Sequence, residues 1–348
     1  MPTAVTDAFL SQAEASEELG SPFTAGLCRL LAARLDHTSR FGHRILDWPG
    51  DPFTDALALR ACGALHALSR SGLAPDLTAV YPPGPFDVEQ LGPRLDAVLT
   101  RHDEFLTAFL DSAPQTNEVA RSGIVLGAAL HVAAMTGLPI ELLELGASAG
   151  LNLRFDRYHY DLGNGLTWGA PESPVRIRCD WRGALPPTLV RIHVVARAAC
   201  DRKPLDPGDR DDANRLLAYI WPDQAHRLAR TEAALQIAAA DGLMVAEADA
   251  ADWLERHLAL PRRPGTVRML FHTIAWQYFP PSVKARAEAA LTAAGEAATT
   301  DNPFAHFSFE ADGTKGSGAL NLRLWPGART IPLGRADFHG RWVEWVAI

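Results

Sequence analysis

The sequence is poor in the features that mark an exported, membrane-bound or metal-dependent protein. Its four cysteines, Cys28, Cys62, Cys179 and Cys200, are scattered, with no CxxC or other ligand spacing. That argues against a disulfide framework or a zinc site and leads us to expect free, buried thiols in a reducing cytoplasm. Basic charge is in deficit: 33 Lys and Arg stand against 41 Asp and Glu, a formal net charge of -8. A net acidic surface disfavours non-specific binding to nucleic acid or anionic lipid. The opening MPTAVTDAFLSQAEASEELG lacks a basic start and carries acids where a signal peptide needs an apolar stretch. No apolar run approaches the ~20 residues of a membrane helix. There is no internal repeat, and nothing calls for metal, haem or flavin.

What is present suffices for one large or two ordinary domains: 348 residues, 47% hydrophobic. Two textures divide the chain. Residues 1–137 read as helices only. SPFTAGLCRLLAARL has Ser21 as a cap and Pro22 at the first helical position. DPFTDALALRACGALHALSRSG stops at Gly72, and TNEVARSGIVLGAALHVAAMTG stops at Gly137. LGPRLDAVLTRHDEFLTAFLDSAP reads as one more helix. In YIWPDQAHR, Pro222 ends a helix, Asp223 is placed to cap the next, and Trp221 reads first as a core plug and second as an aromatic wall to a pocket.

From Pro139 the text changes. IELLEL, RIHVVARAA, LMVAEAD, VRMLFHTIA and FAHFSFE read as strands, with helical stretches between them. Strand alternating with helix implies a parallel, doubly wound α/β sheet. ALNLRLWPG and GRWVEWVAI look like a closing antiparallel hairpin. The expected organisation is a helical domain over 1–137 and a Rossmann-like domain over 138–348. An insert of loop and hairpin is expected around 161–188.

The segment ELGASAG, 144–150, offers three readings. A dinucleotide turn needs GxGxxG, but its positions hold Gly146, Ser148 and Leu151. A nucleophile elbow needs GxSxG, which Gly146, Ser148 and Gly150 match literally. The upstream strands and glycine-rich oxyanion loop of a serine hydrolase are missing. An S-adenosylmethionine turn needs an acid followed by GxxxG, and Glu144, Gly146 and Gly150 fit, with Ser148 at the centre. There Glu144 accepts from an ammonium group, and the following helix start, with Asn152, offers N–H groups to a carboxylate. A glycine turn serving packing alone remains beside these.

Other positions carry weaker signals. Asp201 ends the second strand, where an acid grips ribose hydroxyls, but it lies far beyond the ~20-residue spacing of simple nucleotide folds. Asp249 reads either as a partner for an adenine amino group or as a helix cap. His272 follows an apolar strand and reads as a base or as a structural residue. Asn117, Glu118 and Arg121 share neighbouring helix positions, and Arg154 and Tyr158 share a face. These five are the candidates for substrate contact.

Four stretches, TNEVARSG (116–123), LLELGASAGLNLRFDRYHYDLG (142–163), WPDQAHRL (221–228) and the Asp249–Leu254 segment, resemble an uncharacterised bacterial family, domain of unknown function 2332. The resemblance implies a class I methyltransferase-like Rossmann domain behind a helical domain, and implies no reaction. The expectation is a cytoplasmic S-adenosylmethionine-dependent methyltransferase for a small or medium polar acceptor. A non-catalytic ligand-binding or scaffold protein and a serine hydrolase using Ser148 stand as alternatives.

Overall fold

The structure is a computed structural model and describes residues 3–84, 88–163 and 165–346, with backbone only at 88 and 89. Asn164 in the expected insert, and Ala347 and Ile348 at the end of the last expected strand, lie outside the described residues. The chain forms a mixed α/β protein with a large, mostly parallel sheet and many helices. Chain contacts divide it into two units: Met1–Thr116 with Arg210–Glu232, and Asn117–Asp209 with Ala233–Ile348.

The first unit contains helices and no strand among the described residues. Its capping follows local chemistry. Ser21 Oγ accepts from Thr24 N–H (3.3 Å) ahead of Pro22, and Gly72 ends Leu57–Ser71 in the left-handed conformation. Asp223 caps a different helix from the one expected. Its carboxylate takes Ser21 Oγ (2.6 Å) and Phe23 N–H (3.0 Å), at the start of Pro22–Arg34. The stretch from Leu91 breaks at His102 into Val88–Arg101 and Asp103–Phe109. Phe9, Phe23, Leu27, Leu31, Leu65 and Leu68 form the centre of this unit's core.

The second unit carries the strands: β1 (Ile140–Leu145), β2 (His159–Asp161), β3 (Thr167–Gly169), β4 (Arg176–Arg178), β5 (Asp180–Gly183), β6 (Val194–Asp201), β7 (Ala246–Glu247), β8 (Val267–Thr273), β9 (Phe304–Ala311), β10 (Ser317–Trp325), β11 (Arg329–Asp337) and β12 (Trp342–Trp345). The large sheet runs β5-β12-β11-β10-β9-β8-β1-β6-β7. From β7 to β9 all neighbours are parallel. The chain leaves β1 toward β6 and β7 on one side and returns to β8 and β9 on the other. β1 and β8 are buried along their whole length, which is why both read as near-continuous apolar runs. The insert contributes the small sheet β3-β2-β4 and the edge strand β5.

Three expectations need correction. First, β10 and β12 do not form a hairpin with each other. β11 lies between them and pairs antiparallel with both, so the C-terminal strands form a meander. Pro332 and Gly334 made β11 look like a turn. A register shift between Leu320 and Asn321 leaves Leu333 as an extra residue beside that proline. Second, no α-helix follows β1; Asn152–Arg157 is a 3-10 turn with Arg154 off helical geometry (φ -106°). Third, residues 117–137 group with the sheet, not with the preceding helices. Helix Ser122–Thr136 packs on β8, β9 and the 3-10 turn and is buried from Ser122 to Leu130, with Met135 exposed in its last turn. By length and composition Val119–Thr136 is apolar enough to cross a membrane, but 78% of it is buried in the protein, as in a core helix.

Candidate functional site

The sheet reverses its winding between β1 and β8, and in such sheets ligands bind beyond the carboxyl ends of the strands at that point. The turn after β1 occupies it. Gly146, Ser148 and Gly150 all have positive φ (67°, 54° and 68°). Ser148 is the costly member, since a side chain disfavours that region. Its conformation is held from both sides: Ser148 N–H donates to Asp201 Oδ2 (2.8 Å), and Leu205 N–H donates to Ser148 O (3.3 Å). Gly146 and Ala147 both donate to Cys200 O, extending the ladder with β6 past the end of β1. A side chain at Gly146 has no room, because its Cβ would stand 2.5 Å from Ala275 Cβ.

Within nine residues, three polar atoms are buried with no hydrogen-bond partner: Glu144 Oε2, Ser148 Oγ and Asn152 Oδ1. Their residues are 2%, 5% and 1% exposed. Buried polar groups in folded proteins are nearly always paired, so three orphans in one turn call for a cause. Burial, partly opposed by Arg154 and reinforced by Asp201, pushes the Glu144 carboxyl well above its usual range. A cationic or hydrogen-bond-donating ligand would reverse that cost.

The other expected residues fall into two groups. Several tie the turn together. Asn117 Oδ1 accepts from Leu151 N–H (3.1 Å), and Tyr158 OH donates to Leu151 O (2.7 Å). Arg154 is fully buried, with Asp241 on its guanidinium (2.9 and 3.0 Å) and donations to the carbonyls of Gly150 and Leu243. Asp201 receives Lys203 N–H as well as Ser148 N–H. Arg121 donates to Thr273 O at the end of β8 and to Phe338 O, and Glu118 accepts from Ala120 N–H. Asn117 and Glu118 precede the helix and share no helical face. Asp249 stands apart from the turn and caps Ala250–Leu258 through Ala251 and Asp252 N–H.

His272 belongs to a different constellation. Glu144 lies opposite Phe271 in the β1–β8 register, so its neighbour His272 projects from the other face of the sheet. There His272 Nδ1 meets Glu310 Oε1 (2.7 Å) and its Nε2 meets His306 Nε2 (3.0 Å). Arg323 Nε donates to His306 Nδ1 (3.2 Å) and the guanidinium also pairs with Glu288. Because a guanidinium only donates, the tautomers follow in one direction. His306 accepts at Nδ1 and donates from Nε2; His272 accepts at Nε2 and donates from Nδ1 to Glu310. Burial, then His272 and Arg323, push the His306 imidazole well below its ordinary range. Burial works to raise Glu310, but the bond from His272 and the N–H groups of Ala275 and Trp276 outweigh it and hold the carboxyl low. His272 therefore has both ring nitrogens engaged.

Glu310, His306 and Arg323 were missed from sequence. The signal available was alternation: His306, Ser308 and Glu310 share one face of β9, opposite Arg323 of β10. Among the described residues no group of three or more His, Cys, Asp or Glu is arranged to hold a metal ion, and all four cysteines are free and buried. No curated protein and no solved structure matches the chain. Residues 6–345 match the family model described as "Uncharacterized protein conserved in bacteria (DUF2332)", and the chain belongs to that family.

Proposed function

We propose that the protein is an S-adenosylmethionine-dependent methyltransferase acting on a small or medium polar acceptor. The observation that carries this is the trio of unpartnered buried atoms, Glu144 Oε2, Ser148 Oγ and Asn152 Oδ1, at the winding reversal of a parallel sheet. The parallel order β7-β6-β1-β8-β9 adds support, since methyltransferases of this type share it. The donor set fits the cofactor. Glu144 would accept from its ammonium group, Ser148 and Asn152 would meet its amino-acid end, and Asp201 at the end of β6 would face its ribose. Asp249 would face the adenine amino group through the carboxylate that also caps Ala250–Leu258.

When bound, S-adenosylmethionine supplies an activated methyl group on a sulfonium centre. The chain's own residues then bind, orient and exclude water. Positioning can supply much of the rate in such a transfer. A base at His272 is disfavoured, because neither ring nitrogen is free.

Calorimetric titration with S-adenosylmethionine and S-adenosylhomocysteine, beside Glu144→Gln, tests the reading. We expect binding in the wild type and a loss of about tenfold or more in the variant, the scale of a charge-assisted contact. No binding of either ligand to folded protein overturns it. Binding without turnover across an acceptor panel would favour the non-catalytic alternative.

One observation favours a second reading. Ser148 sits in GxSxG with a left-handed backbone and a free hydroxyl, as a nucleophile elbow requires. It lacks an imidazole partner among the described residues. Labelling of Ser148 by a fluorophosphonate would rescue the hydrolase; its absence removes it.

A further inference from the structure

The three unpartnered atoms of the β1 turn are sealed from solvent, so a ligand reaches them only if a neighbouring segment moves. One segment is built to do so. The loop after β8 abuts the turn directly: the Ala275 methyl fills the notch left by the missing side chain of Gly146. Its first residue is strained, because Ile274 is β-branched and has φ 54°. Its far side is free, with Tyr278 75% exposed. Ile274 N–H donates to Phe309 O (2.8 Å), and Trp276 and Phe279 pack on the core. The side-chain hydrogen bonds to the loop's N–H groups converge on one group, since Glu310 Oε1 accepts those of Ala275 and Trp276 (3.0 Å each) together with His272 Nδ1. The His306–Arg323 chain fixes His272, and the Trp276 ring stacks on it (4.9 Å between centroids).

We propose that Ile274–Phe279 is the gate of the β1 turn and that Glu310 is the latch holding it shut. The latch is a positioning residue: one carboxylate oxygen collects two loop amides and an imidazole, so its loss frees the loop without unpacking the sheet. Segments that admit ligands are drawn from the weakly held parts of a fold. The proposal rests on the reading that the β1 turn receives a ligand, but not on which ligand.

The test needs no ligand. Ser148→Cys places a thiol at the sealed hydroxyl position, and its alkylation by iodoacetamide, mapped by peptide mass spectrometry, reports opening. Cys179 is the internal control, since it is buried and its thiol is pushed up to about 12 by burial and the nearby Asp180 and Asp337. Added to this background, Glu310→Gln weakens the latch and Ala275→Gly removes the plug. We expect alkylation at position 148 to rise about tenfold or more in each, with Cys179 unreactive, as local opening predicts. An unchanged rate in both variants overturns the gate. A rise matched by Cys179 marks global unfolding; if Glu310→Gln behaves so, Ala275→Gly decides alone, and the same behaviour there overturns the gate. Failure of this experiment leaves the cofactor titration standing, and failure of the titration leaves this readout standing.

Discussion

The two polar clusters on opposite faces of β1 and β8 are buried alike and wired differently. On one face, Glu144, Ser148 and Asn152 each leave a polar atom unpaired. On the other, both imidazoles of His272 and His306 have both nitrogens bonded, between Glu310 and Arg323, and one atom, Glu310 Oε2, is left unpaired. A network whose members are nearly all paired rigidifies in a low-dielectric interior; one with an unpaired atom at each member costs free energy until something completes it. The difference teaches where to look for a ligand. The histidines, the residues a search for catalysis lights on first, have every ring nitrogen engaged, while the turn keeps three atoms without partners.

Arg154 should show the largest effect, because it is the point where the unpaired face borrows from paired chemistry. It is fully buried, and Asp241 pairs with it. Asp241 reaches solvent, so Arg154→Ala acts mainly by leaving a cavity and stranding the carbonyls of Gly150 and Leu243, at a cost of ~2–4 kcal/mol. Urea unfolding monitored by tryptophan fluorescence measures this. A cost under ~1 kcal/mol would show that the turn stands without its arginine, and would break the comparison.

The two clusters should also respond to pH with opposite signs. His306 has a depressed folded value, so its stability contribution is present above the unfolded value of 6.5 and is lost as pH falls through the folded one. Wild type should lose stability relative to His306→Gln below pH 6.5, by at most about 1.4 kcal/mol per pH unit. Taking the difference matters, because His66, His131 and His257 are also depressed by burial and act in the same direction. Glu144 has a raised folded value. Its contribution is present below the unfolded value of 4.5 and lost as pH rises through the folded one. Wild type should therefore fall behind Glu144→Gln on the alkaline side. Parallel profiles for the two pairs would erase the distinction between the faces.

How much of this was legible depends on the range of the interaction. Ser21 and Gly137 could be read because a cap is decided by a few adjacent residues. β1 and β8 could be read because burial on both faces leaves a continuous apolar run. The 3-10 turn could not. NLRFDRY has helical spacing, but Tyr158 OH and Tyr160 OH take the carbonyls of Leu151 and Phe155 that an α-helix would use, and the turn before it is set by left-handed Ser148 and Gly150. β11 was hidden because Pro332 and Gly334 are turn residues that a bulge accommodates in a strand. The Glu144 turn stood out in sequence as a candidate, and the cap was one of the two readings open to Asp249, the one its bonds to Ala251 and Asp252 N–H bear out. That Asp201 already serves backbone N–H groups was not legible, because its partner Ser148 lies more than fifty residues away.

The smallest expected effect separates the clusters most finely, because it compares a paired oxygen with an unpaired one. Asp249→Ala removes two N-cap bonds from Ala250–Leu258 and should cost ~1 kcal/mol whether or not a ligand binds. Ser148→Ala removes a hydroxyl that bonds to nothing, so its cost to the free protein should stay within ~0.5 kcal/mol. Alanine keeps the strained backbone much as serine does, which leaves the hydroxyl as the only change. In the presence of S-adenosylhomocysteine the order should invert: Ser148→Ala should lose more of the ligand-induced rise in unfolding temperature than its own stability loss explains. If instead Ser148→Ala destabilises the free protein by ~1 kcal/mol or more, its hydroxyl has a partner in solution, and the turn is a packing device of the same kind as the histidine face.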